Sequence, residues 1–151
     1  MRRALTGVVV ALLAVLCAAG CSAETSSTKN VSGDLRTDLE TVVSRFPVLA
    51  GASSIDWVAG TLGIREAPGP SLYWIDAVVT LDDDHLERLV AGSDLEPGDA
   101  PEVHELIAED LPAGPYLRSS KLDSTFSTGE YRSTVAIDQD AGVLVLTTVF
   151  E

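Results

Sequence analysis

Asp76 is the residue best placed to do chemistry in this sequence, because it is the one charged group inside an apolar run, LYWIDAVVTL at 72–81. A carboxylate carried into a low dielectric is pushed toward its neutral form and can then give or take a proton near neutral pH. The same position also suits a structural Asp that is paired or left exposed at a sheet edge. Three aromatic side chains, Trp57, Tyr73 and Trp74, offer flat faces on which a ligand can stack, although aromatics in strands commonly serve the core.

Other chemistry-bearing residues fall short of a known geometry. His104-Glu105 begins like H-E-x-x-H, but Ala108 stands where the second histidine must be, and His85 and His104 read as helix-surface residues. Gly51-Ala52-Ser53-Ser54-Ile55 lacks the second glycine of a nucleophile elbow, and there is no phosphate-cradling GxxxxGK[ST]. In Asp138-Gln139-Asp140-Ala141-Gly142 the fifth position of a calcium loop is Gly142 and the twelfth is Val149, so a hairpin turn is the better account. Asp82, Asp83 and Asp84 point in different directions at a helix start and suit capping. No metal site and no cofactor are expected.

The two cysteines, Cys17 and Cys21, stand where Arg2 and Arg3 precede an apolar run, ALTGVVVALLAVL, followed by small residues. That order is the charged start, apolar centre and small-residue exit of a signal peptide, and at about 16 residues the apolar stretch is short of the roughly 20 needed to span a bilayer. Ala18-Ala19-Gly20-Cys21 resembles the lipobox of bacterial membrane lipoproteins, with Ala18 where that pattern usually has Leu. The resemblance implies that residues 1–20 are removed and that Cys21 carries a diacylglyceryl thioether. Two acyl chains at about 0.8 kcal/mol per CH₂ would give on the order of 20 kcal/mol of gross membrane affinity. Cys17 would leave with the signal peptide, and a Cys17–Cys21 disulfide would close a loop too small to constrain anything. The implied location is the extracytoplasmic face of the cell membrane, anchored through Cys21 to membrane lipid.

Without residues 1–20 the chain has 131 residues, enough for one domain, and its eight basic and 23 acidic residues give a formal charge of −15. Such a balance disfavours nucleic acid as a partner. Residues 21–33 read as the lipidated cysteine and a Ser/Thr-rich tether. Within it, Ser26-Ser27-Thr28-Lys29 and Asn30-Val31-Ser32 match catalytic and glycosylation motifs by chance.

The domain at 34–151 must supply the elements that position these residues. Leu35, Leu39, Val42, Val43 and Phe46 form a helical stripe with Asp34 as cap and Pro47 as stop. Strands are expected at Ile55–Ile64, weakened by Gly60 and Gly63, and at Leu72–Leu81, which is apolar on both faces and therefore central. The EAPGP break at 66–70 separates them. A helix should start at Asp82–Asp84, and a second should run through Val103, Leu106 and Ile107 with Asp99 and Glu102 as a capping box. Tyr131–Ile137 and Val143–Phe150 should form a closing hairpin. The expected fold class is α+β, with helices packed on a mostly antiparallel sheet of about four strands.

The reading that follows is a non-enzymatic, membrane-anchored module that binds an envelope protein, a polymer or a small ligand. A small cell-envelope hydrolase or isomerase using Asp76 as acid or base is the alternative. A transport solute-binding protein ranks last, because a closing two-lobed cleft usually needs more chain.

Overall fold

The computed structural model describes residues 28–63 and 72–150. Cys21, Cys17 and the EAPGP segment lie outside the described residues. In chain order the elements are β1 (Lys29–Val31), α1 (Leu39–Arg45), β2 (Ser54–Leu62), β3 (Leu72–Thr80), α2 (Asp83–Val90), β4 (Glu96–Gly98), α3 (Glu105–Ala108), β5 (Tyr116–Arg118), α4 (Ser120–Thr125), β6 (Tyr131–Asp138) and β7 (Val143–Phe150).

The strands make one antiparallel sheet in the order β1-β2-β3-β7-β6-β5-β4. This mostly-sheet architecture corrects the expectation of an α+β fold with about four strands. The four expected strands are β2, β3, β6 and β7, whose long apolar alternation is what a sheet interior demands. The three unexpected ones, β1, β4 and β5, are three residues long and too short to show any period. Outermost β4 contains Pro97, whose missing N–H is tolerated at an edge. The helices are also shorter than their apolar stripes suggest. The expected helix from Leu35 shrinks to Leu39–Arg45, because Arg36 bridges to Trp57 of β2 through paired backbone bonds of 2.9 Å. Asp38, not Asp34, takes the cap position of α1. The expected capping box fails because His104 caps a four-residue α3.

Strand β3 pairs along its edges with β2 and β7, and both of its faces are covered by packed side chains. On one face Trp57, Ile75, Ala77, Val79, Leu144 and Leu146 pack against Val42 of α1, Leu86 of α2, and Leu122 of α4. On the other, Val58, Trp74, Val78, Ala136 and Val145 pack against Ile107 of α3 and Tyr116. Fully burying an aliphatic side chain contributes about 1.5–3 kcal/mol, so both layers hold the sheet.

Turn chemistry agrees with the sequence in two places. Asp82 caps α2 by accepting the His85 N–H at 2.7 Å. The Asp138–Gly142 segment is a tight turn between β6 and β7, with Asp138 Oδ1 accepting the Ala141 N–H at 3.0 Å and Gly142 at φ +65°.

Gly60 does more than weaken β2. A side chain there would begin 1.8 Å from the Asn30 carbonyl oxygen, so only glycine lets β1 lie this close over the strand. The segment expected as a tether is thereby drawn into the sheet at Lys29–Val31, with Val31 paired to Gly60.

Candidate functional site

Because side chains alternate along a strand, β3 sends Asp76 and Trp74 to one face and Tyr73 to the other. Trp57 of β2 lies on the Tyr73 side. The sheet therefore divides the four candidates into two sites.

On the α3 face, Asp76 is wholly buried and fully engaged. Lys29 Nζ reaches from β1 across β2 to donate to both carboxylate oxygens, at 2.8 and 2.6 Å. The His104 backbone N–H donates to Oδ2 at 2.7 Å. Trp74 is enclosed beside this pair, with Lys29 Nζ 5.1 Å from its ring centre and the His104 imidazole stacked at 5.4 Å and 16°. Its indole N–H donates to Thr61 O at 3.1 Å. Asp76 thus fastens together the edge strand, the central strand and the segment leading into α3. The side chains of Lys29 and Asp76 are 28% and 1% exposed. A polar groove of about 650 Å³ opens above them, bordered also by Asp99, Glu102 and Arg118.

The opposite face holds a cleft of about 390 Å³. Trp57, Ala59, Ile75 and Phe150 line its interior, and its rim carries Arg36, Arg45, Tyr73 and Thr41. Backbone pairing of Arg36 with Trp57 sets the first guanidinium 4.7 Å over the Trp57 ring. Arg36 Nη2 also donates to Ser32 O at 3.3 Å. The second guanidinium is placed by the end of α1. Tyr131 donates its hydroxyl to Arg45 O at 3.0 Å and stacks edge-on with Phe46, and Arg45 then lies 5.3 Å over Phe150. Trp57 is only 2% exposed, with its indole N–H on Asp38 O at 3.3 Å, whereas Tyr73 is 56% exposed. The platform of three aromatics therefore resolves into Trp57 and Tyr73 in the cleft, with Trp74's ring committed to the other face.

The remaining sequence candidates are structural. His85 is not on the surface: it is buried, and its ring Nε2–H donates to Val48 O at 2.8 Å. His104 is likewise more than a surface residue, since Nδ1 accepts the Leu106 N–H at 3.2 Å. Asn30 donates its amide to Gly63 O at 2.6 Å. Among the described residues no group of three His, Cys, Asp or Glu side chains could hold a metal ion, and no helix is long and apolar enough to cross a membrane. Two groups outside the cleft have shifted ionisation. Burial, and then Asp110, push Asp56 up from the ordinary carboxylate range, and burial, then Asp138, push Tyr116 up.

Sequence reasoning missed Lys29, Arg36, Arg45 and Phe150. Lys29 sits in a polar stretch 47 residues from Asp76, and nothing in local spacing brings the two arginines to one aromatic floor. The usable signal was charge, because cations are few in so acidic a chain, 10 against 23 acidic residues. Comparison with protein-family models, with curated proteins and with solved structures gives no match.

Proposed function

We propose that the protein is a lipid-anchored extracytoplasmic binding module, held at the cell membrane through Cys21, whose ligand occupies the cleft between Trp57, Tyr73, Arg36 and Arg45. The observation that carries this reading is an open concavity with an apolar, aromatic interior and a few convergent polar groups, the usual composition of a small-molecule site. Its volume is at the lower end of such sites, which favours a small ligand over a polymer. Seven residues, 22–28, separate Cys21 from β1, a span of at most about 25 Å however they are arranged. The domain then stands close beside the bilayer.

The hydrolase or isomerase alternative has less support. A general acid or base needs a carboxylate oxygen within reach of substrate, and both Asp76 oxygens already accept from Lys29 while one also accepts from His104. A substrate turned over by the wild type and not by Asp76→Asn would sink the binding-only reading.

Native mass spectrometry of the protein purified from its own membranes tests the proposal directly. The expected result is a non-covalent small-molecule adduct on the wild type that Tyr73→Ala loses; a wild type that carries no adduct contradicts it. Anchoring is tested separately, since Cys21→Ser should abolish fatty-acid labelling and release the protein from the membrane.

A further inference from the structure

We infer that the ligand of the Trp57–Tyr73 cleft is a small organic anion with a flat apolar body, an aromatic carboxylate or an aryl phosphate. The inference rests on the binding-module reading and adds the chemical class. The chain as a whole is strongly acidic, with 23 acidic against 10 basic residues, so a ligand anion would be repelled from most of its surface. At the cleft the sign inverts. Two guanidiniums stand on its rim, and among the described residues no carboxylate lines it; Asp34, Asp38 and Glu40 flank the same segment in sequence but border none of it.

The donors on that rim are available. Among the described residues Arg45 makes no hydrogen bond or ion pair with its guanidinium, which lies over the Phe150 ring. All five of its N–H donors can serve a ligand, and the planar fork matches carboxylate or phosphate oxygens. Arg36 commits one donor to Ser32 O and keeps the rest. Both planes are braced on aromatic rings, 4.7 Å from Trp57 and 5.3 Å from Phe150, so less freedom is lost when they grip an anion. The exposed Tyr73 ring supplies a face for the apolar body. A cleft of about 390 Å³ holds one ring system and is far too small for a two-chain lipid.

Calorimetric titration of the mature, lipidated protein in phosphatidylcholine nanodiscs tests this with 2-naphthoate and its neutral analogue 2-naphthalenemethanol. The expected result is saturable one-to-one binding of 2-naphthoate, with the neutral analogue about tenfold weaker, the value of one charge-assisted contact at a solvated site. Arg45→Gln should lose about the same factor for 2-naphthoate and nothing for the neutral analogue, and Arg45→Lys should restore part of it. Arg36→Gln is the second variant, with a thermal melt to show that the fold is intact. Equal binding of the two probes, or 2-naphthoate binding unmoved by Arg45→Gln, overturns the anion assignment and leaves the cleft reading standing. Failure of 2-naphthoate to bind also overturns it, while the adduct experiment decides the cleft reading on its own.

Discussion

Strand β3 offers Asp76 to one face of the sheet and Tyr73 to the other, and the molecule treats them in opposite ways. Asp76 meets three donor contacts within 2.8 Å and no solvent, whereas Tyr73 lies more than half exposed at the rim of an open cleft. The cations differ in the same sense. Lys29 is spent on a carboxylate, and Arg45 rests on a ring with its donors unused among the described residues. A buried charge in an apolar strand is a natural first suspect for catalysis, yet here its surroundings satisfy it completely, and the functional potential lies where polar groups remain unsatisfied.

The largest effect should come from opening the closed face. Asp76→Ala leaves the Lys29 ammonium and the His104 N–H without their acceptor, and removing one partner of such a pair costs about 3–5 kcal/mol. A fall in Tm of roughly 10–20 °C is expected for a domain of this size. A fall of under 2 °C would show that the pair holds little together and would return Asp76 to the list of catalytic candidates.

Next comes the approach of β1. Gly60→Ala forces a methyl group into the Asn30 carbonyl, which β1 can relieve only by lifting from β2. The expected cost is about 2 kcal/mol, with amide exchange at residues 29–32 accelerating well beyond that of β3. Unchanged exchange there would mean that the sheet absorbs the methyl without releasing its edge.

The smallest effect sharpens the comparison within one face. Asp56 shares the Asp76 side of the sheet, but its charged influence is Asp110, and burial followed by that repulsion raises its pKa. A raised folded-state value means that protonated Asp56 favours the fold, a contribution present below the unfolded pKa and lost as pH rises through the folded one. At pH 7 the ionised group opposes folding, so Asp56→Asn should stabilise by about 0.5 kcal/mol or less. The gain should vanish below about pH 4, where the wild-type carboxyl is also neutral. Melts of both proteins at pH 7 and pH 3.5 check the sign.

Much of the sheet was legible because its central strands are long. The alternation in Leu72–Thr80 puts Tyr73 and Asp76 on opposite faces, and the apolarity of both faces places β3 inside the sheet. Edges carry no such signal: Lys29–Val31 is polar because one side of it faces water, and its pairing is set by Gly60, whose absent side chain looks like a defect in the sequence. For the same reason a seven-stranded sheet read as four. At the site, Asp76, Trp57 and Tyr73 stood out by residue type, but the partners that decide their roles are long-range. Lys29 lies across an intervening strand, and Arg36 and Arg45 meet one floor only because a backbone bridge and a tyrosine clip place them there.

The central claim is that one face of β3 holds the fold and the other holds the ligand. Its most direct test is a paired measurement of Tm and 2-naphthoate affinity for the wild type, Tyr73→Ala and Asp76→Asn. Tyr73→Ala should change stability by no more than about 0.5 kcal/mol, as for an exposed side chain, and weaken binding at least about fivefold through the lost ring face. Asp76→Asn should lower Tm by several degrees and leave the affinity of the folded protein within about twofold, because its carboxylate is walled off from the cleft by the sheet itself. Loss of binding in folded Asp76→Asn, with Tyr73→Ala binding as tightly as the wild type, would contradict the account.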